Sequence, residues 1–259
     1  MAQQISITPI GVFHSSQKEP YEAGRQTDEF HSEGVIELSA GENFEQALIG
    51  LEGCSHIWVI FHFHHNNHWN PMVLPPRGRT TKIGVFATRS PYRPNGIGMS
   101  CVKIKRIEKL KIYVEAADIL DGTPVLDIKP YVAYADSFPG VEPAWLADAS
   151  KYTVSFTGEA LEQLEWLDNA GVEQLRGFIL HQLEFEPTNS KKKRVKAFED
   201  HFVIAYRTWR AAFTVQEHTV EVYKIFSGYS ESDLAASEDT YHDKSIHKEF
   251  KKLFPSARP

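Results

Sequence analysis

The chain has 259 residues, 28 lysines and arginines against 34 aspartates and glutamates, a formal net charge of −6 and 42% hydrophobic residues; it exceeds one small domain and fits two modest ones. Two cysteines far apart, Cys54 and Cys101, exclude a disulfide framework and a cysteine-based metal site. The start, Met1-Ala-Gln-Gln-Ile-Ser, is no secretory signal, and no apolar run approaches membrane-spanning length, so a cytoplasmic protein without membrane association is expected.

Short β-branched and aromatic runs fill the first half. Strands are expected at residues 5–13, 34–38, 56–64, 80–86, 99–107, 111–117 and 124–132, with one helix at 44–51 capped by Gly41-Glu-Asn43. Many short strands with few helices imply a sheet closed on itself, a small β-barrel over residues 1–140. No Gly-x-Gly-x-x-Gly follows a strand into a helix, so a Rossmann-type cofactor site is not supported. A stretch rich in Pro, Gly, Ser and Asp leads into a linker at 141–150. Beyond it the period becomes helical at 158–167 and 172–183, then strand-like at 195–198, 202–210, 212–215 and 219–226. That pattern describes a smaller α+β domain over 151–227, two helices and an antiparallel meander, within an overall α+β fold. Residues 228–259 read as a polar tail, partly disordered or weakly helical.

Residues 86–100 are the most informative run: Phe-Ala-Thr-Arg-Ser-Pro-Tyr-Arg-Pro-Asn-Gly-Ile-Gly-Met-Ser. Pro91 and Pro94 fix their own φ and push Ser90 and Arg93 towards extended backbone, so the loop presents Arg89, Arg93 and Asn95 in a fixed arrangement. Loops of this kind, set between buried strands, are where scaffolds carry function. Ten basic residues and a single acid, Glu108, lie between Arg77 and Lys111, and a second cluster follows at Lys191-Lys-Lys-Arg-Val-Lys196. An acidic chain with two such patches suits a selective RNA binder better than a general one.

A second motif, Asp118-Ile-Leu-Asp-Gly-Thr-Pro-Val-Leu-Asp-Ile-Lys-Pro-Tyr131, places acids on a turn and a strand. Alternation puts Asp127, Lys129 and Tyr131 on one face, as a polar ridge beside the arginine loop or as a solvated Asp/Lys pair worth little. His62 and His64 share a strand face and His65 takes the other, but no acidic or cysteine third ligand stands at zinc spacing, so no metal is assigned.

These two motifs carry a resemblance. The first resembles the Arg-Ser-Pro-x-Arg-Pro-Asn-Pro-Ile-Gly signature of the tRNA N6-threonylcarbamoyladenosine methyltransferase family, and the second resembles that family's acidic signature nearly residue for residue. Gly96 stands where the family usually has proline. The resemblance implies a β-barrel methyltransferase that uses S-adenosylmethionine, methylates N6 of the modified adenosine 3′ of the anticodon in certain tRNAs, and works as a homodimer with cofactor near the subunit contact. The family's cofactor contacts map onto Arg25, Gln26, Thr27, Asp28, Glu29, His64, His65, Arg89, Met99, Glu115, Ala116, Ala117 and Asp118. Thr27-Asp28 replaces the usual Pro-Gly. Glu184-Phe-Glu-Pro-Thr188 stands where many relatives carry Asp-Pro-Arg-Pro.

The chemistry is consistent with the residues. Arg89 can grip the carboxylate of the cofactor through its planar fork, and Met99 can line an adenine slot or serve the core. The acceptor nitrogen is delocalised into ring and carbamoyl group, so it reacts as its N–H proton leaves, which calls for a base. Asp121, Asp127 and His65 are the candidates, with Lys129 or Tyr131 positioning the base. Contacts to tRNA fall to Arg93, Asn95, Lys103, Lys105, Lys191, Lys192, Lys193, Arg194 and Lys196. The alternatives are a non-catalytic RNA-binding β-barrel module and a His-dependent metal hydrolase of cupin type.

Overall fold

Alternating burial along short strands closes the first unit. The computed structural model describes residues 4–20, 33–75, 77–78, 81–115, 117–146 and 150–255, in two units that divide between Ala147 and Asp148. The first carries β1 (Gly11–Ser15), β2 (Glu33–Leu38), a turn of helix α1 (Phe44–Ala47), β3 (His56–His62), β4 (Met72–Val73), β5 (Ile83–Gly84), β6 (Ile97–Glu108), β7 (Lys111–Glu115), β8 (Thr123–Pro130) and α2 (Ala133–Asp136). Six of these strands form a closed barrel in the order β1-β2-β7-β6-β3-β8, while β4 and β5 pair separately. Phe13, Ile36, Ile57, Val59, Val102, Ile112, Val114 and Val125 point inward and are fully buried. Each contributes roughly 1.5–3 kcal/mol by leaving water.

Closure depends on the long strand β6. Its first half, up to Lys103, pairs with β3 and its second half, from Lys103 on, pairs with β7, and a bulge between Ile104 and Arg106 lies within the β7 pairing just past this handover. A bulge bends the strand that carries it, which lets one strand serve two sides of the barrel. A second irregularity lies in β8, where Ile60 pairs with Asp127 and Phe61 with Val125, so that Leu126 is the extra residue. The inward face therefore passes from Val125 to Ile128 rather than through Leu126.

Local expectations were met unevenly. The first strand begins at Gly11 rather than residue 5, and β3 ends at His62, leaving His64 and His65 in a turn. Instead of a strand over 80–86 there is the two-residue β5 and a 3-10 turn, Val85–Ala87; Thr80 itself is outside the described residues. The helix expected at 44–51 is only α1 followed by a 3-10 turn, Leu51–Gly53, and Asn43 makes no side-chain capping bond.

The second unit begins with a strand that composition did not reveal, β9 (Thr153–Phe156), followed by α3 (Gly158–Asn169), α4 (Leu175–Leu183), β10 (Val195–Ala197), β11 (Phe202–Tyr206), β12 (Trp209–Gln216) and β13 (Thr219–Ser227). The sheet order is β10-β11-β12-β13-β9, with β9 parallel to β13 at one edge. Thr157 caps α3, its hydroxyl accepting from the Ala160 N–H at 3.3 Å. The run expected to be one strand over 202–210 breaks at Arg207, whose φ of 46° makes a tight turn.

The expected polar tail is instead folded. Ser230 and Asp233 form a reciprocal capping box on α5 (Glu231–Ala235), and α6 (Lys244–Leu253) buries His247 and Phe250. Positions 243, 247, 250 and 254 recur at helical spacing, a pattern masked in the sequence by surrounding charge. No helix among the described residues is long and apolar enough to cross a membrane.

Candidate active site

The turn before β8 is the geometric centre of the site. Gly122 has φ of +73°, a conformation that glycine adopts without steric cost. Its N–H donates to the Phe13 carbonyl at 2.9 Å, and the Asp121 N–H donates to the Gln17 carbonyl at 2.8 Å, which fixes the turn on the exit of β1. Asp121 Oδ1 accepts from the Ser15 N–H at 3.1 Å and lies 3.6 Å from His14 Nδ1. Its second carboxylate oxygen has no hydrogen bond among the described residues.

His64 packs against this turn. Its Nδ1 is 3.3 Å from the Thr123 hydroxyl, and its ring centroid is 4.1 Å from that of His65. Burial, followed by the neighbouring His65 and His62, holds its pKa below the ordinary value, with Asp121 opposing them. The imidazole is therefore neutral at neutral pH and able to accept a proton.

The proline-locked loop joins the same end of the barrel. The Phe63 N–H donates to the Gly96 carbonyl at 2.8 Å, immediately before His64. The two arginines of this loop have different tasks. Arg93 turns inward and donates from Nη1 to the carbonyls of Thr88 at 2.8 Å and Val85 at 3.3 Å, so it laces the loop rather than facing a ligand. Arg89 and Asn95 are exposed, and Arg89 has no ion-pair or hydrogen-bond partner among the described residues. The structure thus moves Arg93 out of the expected RNA-contacting set.

Gly96, with φ of +57°, explains the departure from the expected proline. Proline requires φ near −65° and lacks the N–H that Gly96 donates to the Arg93 carbonyl at 3.3 Å. Gly96→Pro is therefore expected to cost more than about 1 kcal/mol, read as a lower midpoint in thermal unfolding. An equal or higher midpoint would mean that the loop readily takes another conformation.

The acidic ridge is split by the length of β8. Asp121 and Thr123 lie at the His64 end, whereas Lys129 pairs across from Trp58 and the Tyr131 N–H donates to the His56 carbonyl at the start of β3. Six residues of strand put these ends about 20 Å apart. Lys129 and Tyr131 are therefore not beside the arginine loop; Tyr131 packs against His56 and Trp58, with ring centroids at 6.3 and 5.9 Å. Asp127 lies mid-strand, 2.8 Å from Lys129 Nζ and accepting from the Ile128 N–H. The solvated-pair reading describes it.

Ion pairing also thins the basic patches. Lys103 pairs with Glu115 at 2.6 Å, Lys105 with Glu33, Arg106 with Glu108 at 2.7 Å and Lys111 with Glu37 at 3.3 Å. Lys103 and Lys105, expected to face RNA, thus spend charge on cross-strand acids. In the second unit Lys192 is almost fully buried and meets both Glu186 carboxylate oxygens, at 2.7 and 2.9 Å, and Lys193 donates to the carbonyls of Gln182 and Phe185. These two lysines hold the chain after α4. Lys191, Arg194 and Lys196 are exposed.

Of the residues that resemblance assigns to cofactor, Arg25, Gln26, Thr27, Asp28, Glu29 and Ala116 lie outside the described residues. Met99 is 47% exposed on β6, and Ala117 is buried. Glu115 and Asp118 are half-buried beside it. No group of three or more His, Cys, Asp or Glu side chains that could hold a metal occurs among the described residues. Three participants were missed in the sequence: His14, Thr123 and Gln17. Only Thr123 sat inside a motif, and nothing in the local pattern of the other two marks them.

The model of the tRNA-methyltransferase O N-terminal domain matches residues 12–137, which spans β1 to α2. The tRNA (adenine(37)-N6)-methyltransferase of Escherichia coli K12 is 36% identical over 229 residues, covering 84% of this chain and 95% of that protein. The chain belongs to the tRNA-methyltransferase O family. A putative S-adenosylmethionine-dependent methyltransferase of Pseudomonas aeruginosa is 44% identical over 164 residues, 61% of this chain and 68% of that one. A crystal structure of TrmO from Pseudomonas aeruginosa aligns with a TM-score of 0.60 at 30% identity, covering 86% of this chain and 98% of its own. In this tRNA-methyltransferase O member both signature motifs fall within the matched barrel residues.

Proposed function

We propose that this protein transfers a methyl group from S-adenosylmethionine to N6 of threonylcarbamoyladenosine next to the anticodon of tRNA, in the cytoplasm. The observation that carries this reading is the match of the tRNA-methyltransferase O domain to the barrel, at one end of which the Asp121–Thr123 turn packs on His64 and the Gly96 carbonyl of the loop that carries Arg89 accepts from the neighbouring Phe63 N–H. When bound, S-adenosylmethionine supplies a methyl group activated by a sulfonium.

The residues at this end fit such a group. The exposed Arg89 guanidinium, without an ion-pair or hydrogen-bond partner among the described residues, suits a carboxylate, Met99 offers apolar surface to a flat ring, and the fully buried Gln17, whose carboxamide has no hydrogen-bond partner among the described residues, is bonded through its carbonyl to the Asp121 turn. Asp121 keeps one oxygen on the Ser15 N–H and has the other left to take the N–H proton of the acceptor base. Neutral His64 borders it without placing a second positive charge there. Holding donor and acceptor in line supplies most of the remaining acceleration.

Two copies form the working unit in this proposal, supported by apolar side chains left in water on the barrel unit, among them Phe86 at 76% and Trp69 at 51% exposure. Sedimentation at two concentrations tests it. For tRNA, exposed Lys191, Arg194 and Lys196 are the phosphate contacts. Replacing all three with Gln is expected to lower the salt slope of tRNA binding by about 2, whereas Lys192→Gln should lower stability and leave the slope unchanged. Equal slopes for the two variants would contradict this division.

The cellular test is nucleoside mass spectrometry of tRNA. Removing the gene should leave threonylcarbamoyladenosine unmethylated, and the wild-type gene should restore the methyl group. Persistence of the methylated nucleoside in its absence would refute the reading.

A further inference from the structure

Gln17 lies two residues beyond β1 and is fully buried. Its main chain is well held: the N–H donates to the Ser15 hydroxyl at 3.2 Å and the carbonyl accepts from the Asp121 N–H. Its side chain is not. Neither Oε1 nor Nε2 has a hydrogen-bond partner among the described residues. The contrast with Gln163, equally buried in the second unit, is instructive: that carboxamide donates to Glu159 at 3.2 Å and accepts from the Ile225 N–H at 2.6 Å. A buried amide that forgoes both bonds is costly, and a protein keeps one where another molecule completes it.

We infer that Gln17 is a cofactor-binding residue whose carboxamide takes the adenine edge of S-adenosylmethionine; the inference rests on the methyltransferase reading above. A carboxamide sets one donor and one acceptor side by side, the complement of the adenine edge, where an amine donor adjoins a ring-nitrogen acceptor. The charged amino-acid end of the cofactor fits this position poorly, because a neutral amide cannot offset the cost of burying an ion. Placement agrees. The Gln17 carbonyl holds the Asp121 turn, and the Ser15 hydroxyl that receives the Gln17 N–H also donates to the Ile119 carbonyl at 3.1 Å. Gln17 is thereby fixed against residues 117–122, the segment that leads to the proposed base.

Gln17→Met removes both polar atoms at nearly constant volume. Calorimetric titration of the full-length protein with S-adenosylhomocysteine and with 5′-methylthioadenosine, which lacks the amino-acid end, separates the possibilities. The expected result is a loss of about ten-fold or more in affinity for both ligands, by the same factor, with the melting temperature of the free protein unchanged or raised. Equal affinities for wild type and variant would overturn the inference, as would a loss confined to S-adenosylhomocysteine, which would put the amide on the amino-acid end. A variant that melts lower or does not fold would overturn it too, since the amide would then be structural. Failure of the wild type to bind either ligand would instead remove the methyltransferase reading itself.

Discussion

Asp121→Asn is expected to slow methyl transfer by roughly 10²–10⁴-fold, the usual contribution of a positioned base, while leaving affinity for S-adenosylhomocysteine unchanged. Asparagine retains an oxygen for the Ser15 N–H, so the turn survives, but it cannot take up a proton. Asp127→Asn should cost little, because Asp127 is engaged by Lys129 away from the His64 end. The reverse ranking of these two variants would transfer the base to Asp127.

The same site predicts a pH dependence. His64 has a pKa below its ordinary 6.5 in the folded protein, chiefly through burial and then through its neighbouring histidines. Between that lowered value and 6.5 the unfolded chain binds more protons at this position than the folded one, so stability rises with pH across this window and falls as pH drops. His64→Gln should flatten that segment of the stability profile. A profile unchanged by the substitution would show that His64 is not held neutral.

Phe250→Ala is expected to cost about 3–5 kcal/mol, lowering the unfolding midpoint of the second unit by on the order of 10 °C or more. Phe250 is fully buried, with ring centroids 5.1 Å from Trp209, 5.7 Å from Trp166 and 4.8 Å from Phe254. One turn earlier His247 stacks on Trp209 at 3.7 Å and meets the hydroxyls of Ser227 at 2.8 Å and Thr208 at 2.9 Å. Residues that compose a charged tail in sequence thus complete the core of this unit. Calorimetry of the variant, and of a chain ending at Ser230, checks it; an unmoved transition would mean that α6 is merely apposed.

The barrel could be read from alternation because apolar residues recur every second position, as Ile36 and Leu38 in β2, Ile57, Val59 and Phe61 in β3, and Ile112 and Val114 in β7. What could not be read was register. The extra residue at Leu126 shifts one strand against its neighbour, and only the antiparallel pairing of β3 with β8 reveals that Tyr131 and Asp121 lie at opposite ends. The charge pairs Lys103–Glu115 and Lys105–Glu33 join residues distant in sequence, so a run of cations looked barer than it is. β9 is four residues long and pairs in parallel, which requires a distant partner that no local signal supplies. The motif loop was legible as rigid, but the division of work between Arg89 and Arg93 follows from which guanidinium finds backbone carbonyls. Tertiary contacts decide that.

The most direct measurement is methyl transfer by the purified full-length protein from labelled S-adenosylmethionine to two tRNAs identical except for the threonylcarbamoyl group, followed by nucleoside mass spectrometry. Label on the modified adenosine, and none on the unmodified tRNA, is the predicted result. Binding of both tRNAs with no label on either would contradict it and leave an RNA-binding barrel.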